Sequence, residues 1–575
     1  MRYQPIYDIA EICYRKNIKQ VVLCPGSRCA PLTLAFTRHP DIRTQTFSDE
    51  RSAGFIALGM AQSSRSPVIL VCTSGTAAYN LAPAVSEAYF SQTPLIIFTA
   101  DRPAEWVGQQ DGQTIYQPGI FGRHVKGFFQ LPQDYDHSDS VWAINRMVNE
   151  ALNASLQLPR GPVHINAPFR EPLYPPKSDA ITFSRDVRVL NQHVAVPGLT
   201  AETTGKIRAA WRGFHNILLI AGQHAADPAI LHAVEAFRAQ HHVPVLHDII
   251  SNLHETEDSV QHTDLFLGQA PAHLKESLRP DLLITFGQSL ISKNLKIFLR
   301  KYPASVHWHV QPAGEAADTF RNLTDIFLTS PEGFLTLLTG LETQDTFEAR
   351  KQKNFKQLWE AEERRTVRIL DDFIKENELN ELALVKALLN QLPENSNLHL
   401  ANSMSVRYAN FIGLHARRKG IEVFSNRGTS GIDGSSSTAV GHSLHSDRKN
   451  FLITGDLAFF YDRNAFWHNY PLPNLRILLL NNHGGLIFDV LDGPSSTPEA
   501  GEYFITKQRL NARKLCEEFG FDLLTVDHHR KVKNLIKDLV ASDRATKIME
   551  FESDTAGNKK ILEALKTKIK NSYDT

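Results

Sequence analysis

Short apolar runs alternate with longer amphipathic stretches along the whole chain of 575 residues. The runs have the length of buried strands, and the stretches between them are long enough to form crossover helices. This alternation is typical of parallel sheets whose successive strands are joined by helices. The pattern therefore predicts an α/β protein.

The apolar runs form three groups, which predict three doubly wound parallel-sheet domains. Prolines between 168 and 176 end the first group, and a charged segment with helical periodicity at 343–380 follows the second. We place the domains at residues 1–180, 190–345 and 375–575. The predicted strands are 20–24, 67–72, 94–99 and 162–165 in the first domain, 217–220, 243–246, 282–286 and 306–310 in the second, and 398–401, 422–424, 451–454, 476–480, 523–526 and 547–551 in the third.

Composition and charge narrow the classes of protein that fit the chain. The 62 basic and 62 acidic residues balance, so no overall charge favours nucleic acid as a partner. No apolar run approaches the ~18 residues that span a membrane, and the N-terminal stretch lacks the apolar core of a secretion signal. The five cysteines contain no Cys-x-x-Cys pair, which argues against a disulfide framework or a zinc site. We expect a cytoplasmic protein without nucleic-acid or membrane partners.

Two predicted strand ends in the third domain carry oxygen ligands. Asp456 follows the strand at 451–454, and Asn482 and Gly484 follow the strand at 476–480. A carboxylate, an amide oxygen and a backbone carbonyl are ligands that magnesium prefers, and such an ion is often shared with a diphosphate. Gly-Asp and Asn-Asn are also common turn sequences, so these residues alone leave an ordinary loop as an alternative.

Three motifs resemble those of thiamine-diphosphate-dependent enzymes. Gly455-Asp456 and Asn481-Asn482 resemble the Gly-Asp-Gly and Asn-Asn motif of this superfamily, with Leu457 in place of the third glycine. The sequence at 48–54 resembles the setting of the glutamate that binds the aminopyrimidine ring, and the sequence at 430–434 resembles the loop beneath the cofactor. The resemblance implies bound thiamine diphosphate with Mg²⁺ or Mn²⁺. The implied cofactor residues are Glu50, Gly431, Ile432, Asp456, Asn482, Ile487 and Phe488, and the implied metal ligands are Asp456, Asn482 and Gly484.

Each of these residues also has an ordinary structural interpretation. Glu50 could be an exposed carboxylate at the start of a helix, and Ile432 could be a core residue. Several cations follow predicted strands, and each could be solvated or paired at the surface. Arginine forms two hydrogen bonds with a carboxylate, so cations at the ligand-binding edge of a sheet favour anionic substrates. These cations are Arg28, Arg102, Lys293, Arg407 and Arg427.

Motifs spread over nearly the whole chain resemble the 2-succinyl-5-enolpyruvyl-6-hydroxy-3-cyclohexene-1-carboxylate (SEPHCHC) synthases. The matching segments are 25–28, 49–54, 73–77, 99–103 and 425–434. The resemblance implies that 2-oxoglutarate is decarboxylated and that the succinic semialdehyde carbanion adds to isochorismate in a conjugate step of menaquinone biosynthesis.

The same resemblance assigns substrate residues. Ser403, Arg407 and Arg427 would hold the carboxylate derived from 2-oxoglutarate, and Asn402 would lie beside the reacting centre. The residues that would face isochorismate are Ser27, Arg28, Arg102, Gln113 and Lys293. Ile487 and Phe488 would form an apolar wall over the cofactor. Asn294 departs from the family pattern, which has an arginine after the lysine, so we expect Lys293 to matter more than Asn294.

Related enzymes build each site between two chains, so the resemblance implies a homodimer or a tetramer. Two alternatives stay open. The first is another thiamine-diphosphate carboligase or 2-oxo acid decarboxylase, which a comparison of pyruvate with 2-oxoglutarate would distinguish. The second is a non-catalytic nucleotide-binding regulator, in which Glu50→Gln would change nothing.

Overall fold

The computed structural model describes residues 3–176, 180–193, 198–342, 346–377, 379–490 and 493–574. Its strands form three sheets, and the strands of each sheet come from one of the three groups of apolar runs. The predicted α/β class is confirmed. The chain divides into two compact units, one of Met1–Val194, Asn426–Asp447 and Ala458–Leu475, the other of Ala195–Ser425, Arg448–Leu457 and Arg476–Thr575. The three domain boundaries stay a prediction.

The first sheet has six strands in the order β2-β1-β3-β4-β6-β5, and every pair is parallel. Its strands are β1 (Gln20–Leu23), β2 (Arg43–Thr46), β3 (Val68–Cys72), β4 (Leu95–Asp101), β5 (Phe128–Gln130) and β6 (Val163–Pro168). The helices of this part of the chain are α1 (Gln4–Arg15), α2 (Ala30–Arg38), α3 (Glu50–Ser64), α4 (Thr76–Asn80), α5 (Ala82–Phe90) and α6 (Ser138–Leu156). The central strands β3 and β4 are buried along their whole length, as expected for a sheet covered on both faces.

The second sheet has five strands in the order β11-β10-β9-β7-β8, with parallel pairing throughout. Its strands are β7 (Ile217–Ala221), β8 (Val245–His247), β9 (Leu282–Phe286), β10 (Val306–Gln311) and β11 (Asp325–Leu328). The accompanying helices are α7 (Ala201–Trp211), α8 (Pro228–His241), α9 (Thr263–Gln269), α10 (Ala272–Ser277), α11 (Lys293–Lys301), α12 (Pro331–Thr339) and α13 (Thr346–Glu376). Helix α13 corresponds to the charged segment that the sequence predicted to be helical.

The third sheet has six strands in the order β13-β12-β14-β15-β17-β16. Its strands are β12 (Asn397–Leu400), β13 (Glu422–Phe424), β14 (Asn450–Gly455), β15 (Leu475–Asn481), β16 (Asp522–Thr525) and β17 (Lys547–Glu552). The helices are α14 (Glu381–Leu389), α15 (Met404–Ile412), α16 (Ser435–His445), α17 (Asp456–Tyr461), α18 (Leu486–Val490), α19 (Arg513–Phe519), α20 (His529–Leu539) and α21 (Thr555–Asn571).

Helix α16 packs closely against helix α3 within the first compact unit. A Cβ atom at Gly59 would lie 2.1 Å from the carbonyl oxygen of Thr438, and one at Gly441 would lie 2.2 Å from the carbonyl oxygen of Ile56. Both positions therefore require glycine. This contact connects the helix that begins at Glu50 with the helix that follows the loop at 426–434.

All five cysteines are buried and free. Among the described residues, no helix combines the length and the apolar character that a membrane span requires.

A buried ion pair connects helix α13 to the start of helix α9. His262 Nδ1 lies 2.6 Å from Glu363 Oε1, the His262 backbone N–H donates to Glu363 Oε2 at 3.0 Å, and His262 Nε2 lies 3.0 Å from the Ile412 carbonyl oxygen. Burial lowers the pKa of His262, but the Glu363 carboxylate and the Ile412 carbonyl outweigh it, so the net shift is upward. Burial raises the pKa of Glu363, but His262 outweighs it, so the net shift is downward. Both shifts favour the charged forms of the two side chains.

We predict that Glu363→Gln lowers the free energy of unfolding by about 3 kcal/mol at pH 6, because it leaves one buried charge without its partner. The pair stabilises the fold fully between the ordinary pKa values of Glu and His, about 4.3 and 6.5. Its contribution is lost as pH rises through the raised pKa of His262 or falls through the lowered pKa of Glu363. Urea unfolding at pH 6 and pH 9 measures the difference, which should shrink at pH 9.

Glu376→Gln is the matched control, because Glu376 lies on the same helix in an exposed pair with Lys568. It should cost less than about 1 kcal/mol. Equal losses in the two variants at pH 6 would contradict the prediction.

Candidate active site

The carboxyl ends of β1 and β3 meet where the strand order of the first sheet reverses, and ligands of open parallel sheets bind at such points. A Cβ atom at Gly26 would lie only 2.2 Å from Thr73 Cβ, so only glycine lets these two loops approach. Ser27 is exposed beside them. Arg28 is buried, and its Nη1 donates to the Phe169 carbonyl at 2.9 Å. The loop that contains Ser27 and Arg28 is therefore anchored at this edge.

The loop after β4 contributes Arg102 and contacts the segment that carries Gln113. Arg102 Nε donates to the Gly112 carbonyl at 2.8 Å and pairs with the Asp111 carboxylate at 2.8 Å. Gln113 is exposed and has a φ of 56°, and a Cβ atom at Gly75 would lie 3.3 Å from its Cα. The structure thus brings the predicted residues Arg102 and Gln113 to the edge that also carries Ser27 and Arg28.

Glu50 is the first residue of helix α3 and is half-buried. The preceding Asp49 caps the helix by accepting hydrogen bonds from the backbone N–H groups of Arg51 and Ser52 at 2.9 and 3.2 Å. Asn80 Nδ2 donates to Glu50 Oε2 at 3.3 Å. The buried thiols at 24 and 72, just after β1 and within β3, have raised pKa values, mainly from burial and partly from the charge of Glu50. Glu50 therefore lies at the same edge of the first sheet.

The loop at 426–434 carries Arg427, Gly431 and Ile432 and belongs to the first unit. Gly434 has a φ of 73°, and a Cβ atom there would lie 2.2 Å from the ring of Phe55. The tight turn leaves the Ile432 side chain 41% exposed. Ile432 is thus not the ordinary core residue that its sequence alone would also allow, and it is available to contact a ligand.

In the second unit, the strand order of the third sheet reverses between β12 and β14. Asn402 and Ser403 follow β12, and Asp456 follows the last residue of β14. Ser403 has a φ of 71° and a ψ of −130°, a conformation that costs about 1–3 kcal/mol and is found mainly at functional sites. Arg407 Nη1 donates to the Ser403 carbonyl at 2.6 Å and so supports this conformation.

Asp456, Asn482 and Gly484 offer the donor set of a hard cation. Asp456 is buried, which raises its pKa, and its Oδ2 accepts from Gln508 Nε2 at 2.6 Å. Asn482 Nδ2 donates to Glu381 Oε1 at 2.9 Å, whereas the buried Asn482 Oδ1 has no partner among the described residues. An unpartnered buried oxygen is costly unless a ligand binds it. These residues fit a magnesium or manganese ion.

The oxygen donors of Asp456, Asn482 and Gly484 make histidine and cysteine ligands unnecessary for a hard cation. No group of three or more His, Cys, Asp or Glu in the described ranges is arranged to hold a metal. The donor set depends instead on one carboxylate, one amide and one backbone carbonyl. Leu457, in place of the third motif glycine, contributes its backbone N–H to Asp456, which any residue except proline can do.

The motifs did not identify Glu381 or Gln508. Glu381 is fully buried at the start of helix α14, and burial raises its pKa to about 7. It accepts from Asn482 Nδ2 and, at 3.2 Å, from Ser553 Oγ. Because the Asn482 amide nitrogen donates a hydrogen bond to Glu381, the orientation of the Asn482 amide oxygen is fixed. A lone glutamate 101 positions before Asn482 gives no sequence signal of this role.

Lys293 begins helix α11 and is exposed, whereas Asn294 is held in place. The Asn294 backbone N–H donates to Asp264 Oδ1 at 2.7 Å, and Asn294 Nδ2 donates to the Asp264 carbonyl at 2.7 Å. Burial raises the pKa of Asp264 to about 6, and the nearby charge of Arg407 acts in the opposite direction. Arg407 therefore lies near Asp264, and Asn294, which follows Lys293, has a structural role.

Ile487 and Phe488 lie on helix α18. Ile487 is half-buried, and Phe488 is 38% exposed with its ring centroid 6.3 Å from that of Phe504. A Cβ atom at Gly484 would lie 2.8 Å from Ile505 Cγ2, so glycine lets the Asn482 loop pass beneath this segment. The two side chains thus offer a partly exposed apolar surface a few residues after Asn482 and Gly484.

The chain matches two family models of thiamine enzymes. Residues 7–120 match the thiamine pyrophosphate enzyme, N-terminal TPP binding domain, and residues 207–400 match the middle domain of thiamine pyrophosphate enzymes. Among solved structures, benzoylformate decarboxylase from Polynucleobacter necessarius is similar with a TM-score of 0.70 at 17% identity, covering 96% of this chain and 98% of that one. This likeness supports the fold alone.

Curated relatives match over nearly their full length. A SEPHCHC synthase from Cytophaga hutchinsonii is 43% identical over 99% of this chain and 100% of the relative. Those from Bacteroides thetaiotaomicron and Flavobacterium johnsoniae are 37% and 36% identical, covering 92% and 96% of this chain and 92% and 97% of theirs. The fold, the cofactor-binding features and these relatives agree, and the chain belongs to the family of 2-succinyl-5-enolpyruvyl-6-hydroxy-3-cyclohexene-1-carboxylate synthases, which are thiamine-diphosphate-dependent transferases.

Proposed function

We propose that the protein decarboxylates 2-oxoglutarate and joins the remaining four-carbon fragment to isochorismate, giving SEPHCHC and CO₂ in menaquinone biosynthesis. The observation that carries this proposal is the buried pair Asp456 and Asn482, with an unpartnered amide oxygen, in a chain 43% identical to a SEPHCHC synthase. When bound, thiamine diphosphate supplies a nucleophilic carbon and accepts the electrons released by decarboxylation.

The residues of this chain bind and orient the cofactor. Asp456, Asn482 and the Gly484 carbonyl would hold Mg²⁺ or Mn²⁺, which would in turn bind the diphosphate. The Glu50 carboxyl would share a proton with the aminopyrimidine ring and so favour the form that removes a proton from the thiazolium. Ile432 would support the cofactor from below, and its exposed side chain is consistent with that role. The apolar surface of Ile487 and Phe488 would exclude water from the reacting atoms.

Cationic groups would bind the carboxylates of the two substrates. Arg407 and Arg427, with Ser403, would hold the distal carboxylate that remains after decarboxylation, and Asn402 would lie beside the reacting carbon. Isochorismate carries two carboxylates, and the residues proposed to bind it are Ser27, Arg28, Arg102, Gln113 and Lys293. Charge-assisted hydrogen bonds from arginine fix both the position and the orientation of a carboxylate, which a conjugate addition requires.

We further propose a cytoplasmic homodimer or tetramer. Five free, buried thiols suit a reducing compartment. The resemblance to enzymes that build each site between two chains supports this assembly.

Another thiamine-diphosphate carboligase or 2-oxo acid decarboxylase is the main alternative, and a non-catalytic nucleotide-binding regulator is a remote one. The first would accept small neutral substrates and would need few cations. The second would need no carboxyl group facing the aminopyrimidine.

The decisive experiment mixes purified protein, thiamine diphosphate and Mg²⁺ with 2-oxoglutarate or pyruvate, with and without isochorismate. We expect CO₂ release from 2-oxoglutarate and formation of the adduct with isochorismate.

Glu50→Gln should lower kcat by at least about 100-fold, because a proton-transferring group is lost. Glu150→Gln, a change at a partly buried surface pair with Arg146 on helix α6, is the control. Preference for pyruvate would support the main alternative, and unchanged behaviour of Glu50→Gln would support the regulator.

We also predict that Glu381→Leu weakens Mn²⁺ binding about tenfold in the presence of thiamine diphosphate. The leucine leaves the Asn482 amide N–H groups without an acceptor, a loss of about 1–3 kcal/mol that allows the amide to rotate. Electron paramagnetic resonance of free Mn²⁺ measures the affinity. Glu381→Gln keeps a carbonyl acceptor and should bind Mn²⁺ more tightly than Glu381→Leu. Equal affinities in both variants and the wild type would exclude this role of Glu381.

We predict that Lys293→Ala impairs isochorismate binding, whereas Asn294→Ala lowers thermal stability. Loss of a charged hydrogen bond of about 1.5–3 kcal/mol should raise the KM for isochorismate at least tenfold in Lys293→Ala, with little change in Tm. Asn294→Ala should lower Tm, because it removes the bond to the Asp264 carbonyl, and should leave that KM within about threefold. Steady-state kinetics and thermal unfolding test both, and equal large increases in KM would refute the ranking.

A further inference from the structure

A buried carboxylate lies directly beneath the loop that carries Arg427 and Ile432. Glu87 on helix α5 is fully buried, and its carboxylate accepts three hydrogen bonds from two consecutive residues of the loop. The Gly428 backbone N–H donates to Oε1 at 2.8 Å, and the Thr429 backbone N–H and hydroxyl donate to Oε2 at 2.7 and 2.8 Å. Glu87 and the loop belong to the same compact unit.

Both carboxylate oxygens of Glu87 accept hydrogen bonds from this loop. No ion pair of Glu87 exists among the described residues, so hydrogen bonds alone offset the cost of burying the carboxylate. Burial raises the pKa of Glu87, and the bonds from Thr429 and Gly428 act in the opposite direction. A buried carboxylate with these donors holds the backbone at 428–429 in one conformation.

The loop lies against helix α5 without space for adjustment. A Cβ atom at Gly428 would lie 2.7 Å from the Glu87 carbonyl oxygen and 2.9 Å from the Ser91 backbone nitrogen. The first turn of helix α16, which follows the loop directly, is fixed in a similar way, because buried Asp462 accepts from the Ser437 backbone N–H and hydroxyl at 2.7 and 2.8 Å. Ile432 lies between these two anchors and is exposed.

We propose that Glu87 is a positioning residue that fixes the backbone next to Arg427 and thereby sets the position of the Arg427 guanidinium toward the carboxylate of 2-oxoglutarate. This inference rests on the proposed function for its substrate. It assigns to Glu87 no contact with substrate or cofactor, and it predicts that the loss of Glu87 affects one substrate and not the other.

The test compares the wild type with Glu87→Gln, Thr429→Val and the control Ser86→Ala on the same helix. Glutamine places an NH₂ group against N–H donors, so one anchoring bond is replaced by repulsion. We expect the KM for 2-oxoglutarate to rise about tenfold in Glu87→Gln and about threefold in Thr429→Val, which removes only the hydroxyl bond. The KM for isochorismate should stay within twofold, and Ser86→Ala should match the wild type.

Hydrogen exchange of the peptide containing 428 and 429 provides a readout that needs no substrate. Faster exchange there in Glu87→Gln, together with the selective rise in KM, supports the proposal. Unchanged exchange, or faster exchange with both KM values unchanged, overturns it. If Glu87→Gln does not fold, Thr429→Val decides by the same two measurements. If the wild type does not consume 2-oxoglutarate, the proposed function fails, and unchanged exchange in the variants would separately refute the anchoring role of Glu87.

Discussion

Burying a carboxylate is unfavourable unless hydrogen-bond donors replace the lost water, and this constraint shapes the loops of the protein. Glu87 accepts backbone N–H and hydroxyl groups of the loop at 426–434, and Asp462 accepts those of the first turn of helix α16 that follows it. Glu381 accepts a hydrogen bond from the Asn482 amide, and Asp264 accepts one from the Asn294 backbone N–H in the first turn of helix α11. In each case the acid satisfies its own need for donors by immobilising a segment that carries predicted ligand-binding residues.

Close backbone contact is the second requirement of these loops. The parallel sheets bring strand ends together where the strand order reverses, and the loops can meet there only if side chains are absent. Gly26 against Thr73 and Gly434 against Phe55 are examples in the first unit, and Gly484 against Ile505 is one in the second. The glycines thus allow the approach, and the buried acids then hold the resulting conformation.

Much of the fold could be predicted from the sequence because fully buried strands need continuous apolar runs. All fourteen predicted strands correspond to strands of the structure. The three strands that the pattern missed, β2, β5 and β11, lie at sheet edges and are largely exposed, and their apolar runs are short or absent. The packing of α16 against α3 could not be predicted from the sequence either, because nothing near Gly59 or Gly441 in the chain indicates the backbone that each one contacts.

The site could be predicted only where chemistry and chain position coincide. Asp456, Asn482 and Glu50 follow strands or begin helices at sheet edges, where ligands bind, and they occur within motifs. Glu87 and Glu381 act on residues that lie 341 and 101 positions away along the chain. A single polar residue in a helix carries no information about so distant a partner.

The burial of every cysteine has a practical consequence for studying the molecule in solution. Cys24, Cys29 and Cys72 surround the loops at the first strand reversal, and burial raises the pKa of all three thiols. Because only an accessible thiolate reacts quickly, alkylating reagents should label these positions only when that edge opens. The native cysteines thus form a built-in reporter of local breathing around Glu50, without any engineered label.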